Sequence, residues 1–530
     1  MLFSSPEFLF AFLPLTLLLV VAAAWTLGRR AVLVVLIIAS VAFYGWWKPA
    51  YLILLAVSVL GNYAFGRVLM RGPSRPVLTL GVAFNLGLLG YFKYAYFLVD
   101  GMNAIAGTGF QIGTIVLPLA ISFYTFQQIA FLVDAHQGKV KDTSFIHYCL
   151  FVTFFPQLIA GPIVHHADVI PQFEKGDAFT IRLENLWVGL AIFVIGLYKK
   201  IIFADGIAVY ADSVFAGALQ NPTFFEAWGG TLAYSFQIYF DFSGYSDMAI
   251  GLARVFGVRL PLNFHSPYKA LNIIEFWRRW HMTLSRFLRD YLYFPLGGSR
   301  KGWPRRYANL MTVMLLGGLW HGAGWAFVIW GGLHGLYLVI NHAWQALRRA
   351  LGHDLSISTA WGRGLSRGLT FLAVVVAWTF FRGESWQGSL AILEGMAGLN
   401  GIVLPPRIMA DLGGLSTMLE GLGLSAGKLR FLDISAFGWL AALLAVVWLA
   451  PNTQQWLDDH DPALDYDRRR HSFDFSGMAV VTEAAANTMR SFRHIRAVWM
   501  IPFIAWASGV AMVVVAVRGS DMAPFIYMFF

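Results

Sequence analysis

The sequence predicts an all-α integral membrane protein with about 11–13 transmembrane or re-entrant helices, plus amphipathic helices at the interface. Three observations carry that reading. Hydrophobic residues make up 58% of the chain and charged ones only 13%, about half the charge of a soluble domain. Runs nearly free of charge recur from end to end, each close to the ~20 residues a helix needs to cross a bilayer. The basic residues sit in short connections between the runs, the bias that cytoplasmic loops show.

The runs cover residues 8–25, 31–47, 51–70, 77–99, 112–133, 145–163 and 186–202. They continue through 228–256, 310–340 (long enough for two helices), 369–381, 436–449 and 498–517. Arg29 and Arg30 follow the first run, Arg71 and Arg75 the third, and Lys139 and Lys141 the fifth. The N-terminus is therefore expected outside. Arg468, Arg469, Arg470, Arg490, Arg493 and Arg496 mark a cytoplasmic stretch before the last run, which puts the C-terminus outside as well. The expected organisation is a membrane core over 1–450, a charged cytoplasmic linker over 451–496, and a final helix over 497–530 ending in an extracytoplasmic FIYMFF tail. The long connection 383–433 is expected outside.

The net charge of +10 follows from the loop bias, so membrane lipids rather than nucleic acid are the expected partners. The N-terminus lacks a basic n-region and a small-residue cleavage site, so it reads as a span and not as a signal peptide. A single cysteine, Cys149, excludes an internal disulfide and a thiolate metal cluster. No P-loop, HExxH or GxSxG occurs, and no metal site is expected. The HHAD at 165–168 reads as a solvated loop.

Three stretches hold residues suited to chemistry. Within LAYSFQIYFDFSGYSDMAIGLARVFG (232–257), Asp241 and Asp247 interrupt an apolar run, at roughly 2.5–3.5 kcal/mol each on insertion scales. Asp247 reads equally well as a structural tie, whereas Asp241, flanked by Tyr239 and Ser243, is expected to line a polar site. In EFWRRWHMTLSRFLRDYLYFPLGG (275–298), a continuous helix gathers Arg278, Arg279, Arg286 and Arg289 on one arc, at about 100° per residue. Trp280, Leu284, Phe287, Leu288 and Tyr291 fill the opposite arc, with His281 at its edge. Such a helix lies in the interface. Its arginines serve either as headgroup anchors or as a cytoplasmic doorway for a phosphate-bearing donor, since guanidinium grips phosphate in bidentate fashion.

The third stretch is LLGGLWHGAGWAFVIWGGLHG (315–335). His321 stands between Trp320 and Gly322, and Gly317, Gly318, Gly322 and Gly324 permit close backbone approach or a helix break. At membrane depth a break is tolerated only where protein or a water-filled cavity satisfies the backbone. Trp320, Trp325 and Trp330 are suited to wall such a cavity. A neutral imidazole there can take the proton of a hydroxyl as it attacks a carbonyl; a satisfied structural histidine is the bland alternative. His334 is assigned the structural role.

Together, FDFSGYSDMAIG, the 275–298 segment and LLGGLWHGAGW resemble the membrane-bound O-acyltransferase family, in its bacterial branch of alginate O-acetylation and lipoteichoic-acid D-alanylation membrane proteins. The resemblance starts at MLFSSPEFLFAFLPL and passes through LPLAISFYTFQQIAFLVDAHQG and FFPQLIAGPI. It covers roughly the first two-thirds of the chain. It implies a ring of helices around a central passage, with His321 as the active-site histidine and His281 as the second characteristic one. Trp277, Trp320, Asp241, Ser243 and Tyr239 are then expected to line the passage. Arg278, Arg286 and Arg289 are expected to hold donor phosphate. The implied donor is acetyl-CoA or another cytosolic acyl thioester, with no bound cofactor. The implied setting is the bacterial inner membrane, with a separate extracytoplasmic O-acetyltransferase that acetylates an exopolysaccharide or cell-wall glycan.

The closing APFIYMFF resembles the F-x-Y-x-x-F ending of a small partner in the D-alanylation system, placing Phe525, Tyr527 and Phe530 in the pattern. Tyr527 is then the expected acyl acceptor, against the alternative of an interfacial aromatic belt. Thiols near pKa ~8.5 and phenols near ~10 are close enough that an acyl-tyrosine keeps much of a thioester's transfer potential. The alternatives are transfer of D-alanine or another acyl group, a small-solute transporter using Asp241 and His321 as a proton relay, and a scaffold with a vestigial histidine.

Overall fold

The structure, a computed structural model, describes residues 1–464 except 141–142, 176–178, 180–181, 356–357 and 422, together with 466, 508–509 and 525–526. Nearly every described element is a helix, as lipid demands of a chain that must satisfy its own backbone. The exceptions are two three-residue strands, Ile402–Leu404 and Leu424–Ala426, paired in parallel within the 383–433 connection. Among the described residues, six helical stretches are long and apolar enough to cross a membrane: Phe8–Thr26, Tyr51–Arg71, Arg75–Ala106, Leu183–Ala216, Trp325–Ala350 and Ala360–Arg382. The expected all-α membrane fold is the one observed.

The molecule is organised on the 32-residue helix Phe224–Val255, almost all of which is buried. It packs against Leu183–Tyr198 through two glycine pairs seven residues apart, Gly189 with Gly251 and Gly196 with Gly244. A Cβ on Gly196 would meet the Gly244 carbonyl oxygen at 2.6 Å, and one on Gly244 would meet that of Gly196 at 2.7 Å. Small residues substitute here for the hydrophobic drive that lipid removes, because dispersion and close backbone contact hold membrane helices together. A second close pair, Gly318 and Gly331, locks Gly302–His321 against Trp325–Ala350. That hairpin carries His321.

Three expected helices are built differently. In 112–133 the helix begins only at Ile121; residues 111–118 are non-helical and Ala120 enters at φ 61°. Pro118, just before that entry, supplies no N–H for a helical bond. The 145–163 run is no single span: Phe145–Thr153 ends at Phe154, a turn at Phe155–Leu158 follows, and a loop begins near Gly161 and Pro162. The 275–298 segment breaks into Ile273–Trp277 and Met282–Leu288, with His281 left-handed at φ 43°. The break has a local cause. Residues 263–265 pair with the turn, His265 N–H donating to the Arg279 carbonyl and Met282 N–H to the Asn263 carbonyl, both at 2.9 Å. The single-helix arcs drawn from the sequence therefore do not apply across residue 280.

Residues 452–458, the start of the expected linker, are mostly buried. Thr453 Oγ1 and Gln454 Nε2 donate to Asp247 at 2.6 and 2.7 Å, and Lys199 Nζ reaches the same carboxylate at 2.6 Å. Asp247 thus ties three segments together. The HHAD loop is not solvated: His165, His166 and Asp168 are all buried. Asp168 accepts a forked bond from Arg286 at 3.0–3.2 Å and caps the helix that starts at His166. The expected final helix of 497–530 and Tyr527 lie outside the described residues, apart from 508–509, Phe525 and Ile526.

Candidate active site

His321 is the last residue of Gly302–His321, where the chain leaves the helix at an extended Gly322. Its ring is 1% exposed and is enclosed by aromatic rings: Trp320 at 4.9 Å, Trp330 at 5.0 Å and Phe381 at 5.2 Å between centroids. The His281 ring lies 6.4 Å away. Ending a helix here leaves carbonyls without intrahelical donors, and Lys93 supplies one. Its Nζ donates to the Trp320 carbonyl at 2.5 Å, the His321 carbonyl at 3.3 Å and Ser122 Oγ at 3.2 Å. Nothing in the sequence pattern around Lys93 signalled this contact; a lone lysine in an apolar run was the available clue.

His281 is oriented from below. Asn263 Oδ1 lies 3.1 Å from His281 Nδ1 and also accepts from Thr283 Oγ1 at 2.8 Å and Thr283 N–H at 3.4 Å. A backbone N–H can only donate, so the amide atom it faces is oxygen, and Nδ1 must carry the imidazole proton. The lone pair of His281 is then on Nε2.

Two cavities flank the histidines. One, of about 620 Å³, is bordered by Trp277, Arg278, Arg286, Arg289, Arg306, Met314, Leu338 and His342. The other, of about 1070 Å³, is bordered by Tyr234, Gln237, Ala323, Phe327, Phe381, Arg382 and Ile526. Arg306 and Ala323 are 17 residues apart on one nearly continuous helix, roughly 25 Å at 1.5 Å per residue. The Trp325–Ala350 helix repeats the relation, with Phe327 at one cavity and His342 at the other. The two linings thus lie toward opposite ends of the hairpin. Along the hairpin His321 lies between the two linings, behind Phe381 at the larger cavity, while Trp330 packs on its ring without bordering either cavity.

The expected site residues divide accordingly. Trp277, Arg278, Arg286 and Arg289 share the arginine-lined cavity, although Arg286 is held by Asp168 and Arg289 by Asp290 at 2.7 Å. Arg278 is exposed. Trp320 stacks on Phe126 at 5.2 Å and walls His321. Asp241, Ser243 and Tyr239 border neither flanking cavity. Asp241 is paired with Lys200 at 2.7 Å, Ser243 is buried, and Tyr239 packs on Tyr268 and Trp280. One and two turns earlier on the same helix, Gln237 and Tyr234 reach the larger cavity instead; neither carries a charge that would mark it within an apolar run. His334 is ringed by Phe276, Trp277, Trp330 and Trp378, consistent with a packing role. Among the described residues no cluster of His, Cys, Asp and Glu could hold a metal.

Comparison with known proteins decides what this architecture belongs to. Residues 135–365, which contain both histidines, match MBOAT, the membrane-bound O-acyltransferase family. A peptidoglycan O-acetyltransferase of Helicobacter pylori is 43% identical over 434 residues, covering 76% of this chain and 81% of that protein. The chain belongs to the membrane-bound O-acyltransferase family. A probable alginate O-acetylase AlgI of Pseudomonas putida is 45% identical over 73% of this chain and 78% of that protein. A teichoic acid D-alanyltransferase of Streptococcus thermophilus is more distant, 26% identical over half of this chain and 68% of that protein. The protein is therefore a membrane-embedded acyltransferase, and the transporter and scaffold alternatives lose their basis.

Proposed function

We propose that this acyltransferase carries acetyl from cytosolic acetyl-CoA across the inner membrane, for O-acetylation of an exopolysaccharide or cell-wall glycan. The observation that carries the reading is the placement of His321 between two cavities whose linings lie toward opposite ends of one helical hairpin. The arginine-lined cavity suits the phosphates of a donor, with exposed Arg278 and half-buried Arg286 at its border, and the positive-inside bias assigns that side to the cytosol. The larger cavity is then the extracytoplasmic entrance.

The chemistry balances with groups of this chain. Tyr527 O–H gives its proton to the His321 imidazole, and the phenolate oxygen attacks the thioester carbonyl. The C–S bond breaks, the imidazolium returns the proton to the departing thiolate, and the acetyl group remains on the tyrosine oxygen. His281, with its Nε2 lone pair, stands beside His321 to orient the reactants. An extracytoplasmic transferase partner then moves the acetyl group to sugar hydroxyls. Phe381 stands between His321 and the larger cavity, so its side chain swings aside when substrate enters.

Acetyl is favoured over D-alanine because the acetyl-transferring relatives are 43–45% identical and the D-alanyltransferases 26–28%. Purified protein incubated with labelled acetyl-CoA tests the reading. Label is expected on the C-terminal peptide and absent in His321→Ala and Tyr527→Phe. Normal glycan acetylation by Tyr527→Phe removes the relay, and full activity of His321→Ala removes the base.

A further inference from the structure

Phe525 and Ile526 meet the helical core at a charged point that the acyl-transfer chemistry does not use. Phe525 is 1% exposed. Its ring lies over the Lys200 ammonium, 4.8 Å from centroid to Nζ, and meets the Tyr245 ring edge-on at 4.6 Å. The next residue, Ile526, donates its backbone N–H to Asp241 Oδ2 at 2.9 Å. The other oxygen of Asp241 takes Lys200 Nζ at 2.7 Å, and Lys200 also reaches Asp205 at 2.9 Å.

The sequence arranges this point by a local irregularity. Lys199–Ala204 is a π-helical turn between Leu183–Tyr198 and Asp205–Ala216, a wider winding often found where a helix does more than span. Consecutive lysines there reach two carboxylates six positions apart on the facing helix, Lys199 to Asp247 and Lys200 to Asp241. The two ion pairs have different third partners. Asp247 holds the Thr453–Trp456 turn, a fixed part of the body, while Asp241 holds the C-terminal end. A buried carboxylate–ammonium pair is costly when stability is its only role. Here the pair also supplies an acceptor for a main-chain N–H and a cation for an aromatic face. Ile526, so held, forms part of the wall of the larger cavity together with Tyr234, Gln237 and Phe381.

We propose that Lys200, Asp241 and Tyr245 form a seat for the chain's own C-terminal end. The seat holds Phe525 in the core and Ile526 at the wall of the larger cavity, and so anchors the chain immediately before Tyr527, the acceptor proposed above. These are positioning residues, and Asp241 serves the reaction through the tail rather than by touching the acyl group. The functional half of the inference rests on the relay proposed above; the seat itself does not.

Cross-linking separates the two. In a full-length Cys149→Ser background, Gln237→Cys and Ile526→Cys are joined by a short bis-maleimide and read as linked peptides by mass spectrometry. Linkage is expected in the parent. It should fall roughly tenfold in Phe525→Ala, which removes the ring over the ammonium, and in Asp241→Asn, which takes the charge from the acceptor of the Ile526 N–H. Phe525→Ala alters only the tail, so it keeps the test valid where Asp241→Asn fails to accumulate. Glycan acetylation should fall with it in kcat at unchanged KM for acetyl-CoA, and Phe525→Trp should restore both. Linkage that survives both substitutions overturns the seat. Linkage lost while acetylation continues unchanged overturns its positioning role. A Tyr527→Phe protein that cross-links normally but acetylates normally as well sinks the relay and leaves the seat standing.

Discussion

Lys93 holds the helix end that carries His321 without bordering either flanking cavity. Its ammonium meets the carbonyls of Trp320 and His321, where the helix would otherwise end on orphaned acceptors and a negative dipole end. Lys93→Met should lower kcat roughly ten- to hundredfold, the worth of a charged hydrogen bond, with membrane accumulation retained. Lys93→Arg should recover part of the loss. Equal accumulation and equal kcat for the methionine variant would show that the cap does not hold His321. His165 makes a separate claim about pH. Tyr291 O–H donates to Asp134 Oδ2 at 2.5 Å, so the contact of that hydroxyl with His165 Nδ1 at 3.2 Å requires a proton on Nδ1. Burial first, and then the Arg286 guanidinium, push His165 down from 6.5 to about 4. A depressed base binds more protons unfolded than folded between those values. Its stabilising effect is therefore complete above about pH 6.5 and is lost as the pH falls towards 4. The detergent-solubilised protein should melt progressively lower across that window, and His165→Gln should flatten the slope.

At the scale of elements, the apolar runs marked most spans because hydropathy and length are local properties. What escaped was set by partners distant in sequence. The 145–163 run is apolar because it is buried in protein, not because it crosses lipid, and composition does not separate the two. The break at His281 comes from backbone pairing with residues 263–265, which no window around residue 281 contains. The histidines and tryptophans of 315–335 were legible because glycine and imidazole are both costly in a lipid-facing helix. Asp241 is legible as unusual, but its charge partner is not, since Lys200 sits in a π-helical turn about forty positions earlier. The glycine pairs were legible only as composition, although they set how near two helices approach. Gly196→Leu would drive a branched side chain into the Gly244 carbonyl, already 2.6 Å from an ideal Cβ. It should reduce folded protein in membranes several-fold, by overpacking worth about 1–3 kcal/mol. Gly438→Leu, where a Cβ meets nothing within 4 Å, should accumulate normally. Similar yields for the two would remove the glycine contact as a determinant of the fold.

Across the whole molecule, transfer from one side to the other depends on which compartment each cavity faces. Both cavities are fixed to the same hairpin, so one side chain on each is enough to read the topology. Arg305 lies one residue before Arg306, on the arginine-lined end, and is exposed. Trp386 borders the larger cavity and is 50% exposed. The chain has one cysteine, Cys149, so Cys149→Ser gives a background silent to maleimide. Arg305→Cys should then react with a membrane-impermeant maleimide in inside-out vesicles and be protected in intact spheroplasts. Trp386→Cys should show the reverse. This pattern follows from the positive-inside bias, and it is the one under which a cytosolic thioester meets arginines while the C-terminal end enters from outside. Reaction of both cysteines from one face would mean that the cavities share a compartment. The His321 septum would then divide no two solutions, and a relay through it would have nothing to cross. Reversed labelling would keep the septum but bring the donor in through the cavity bordered by Ile526, displacing the tail from the role its seat implies.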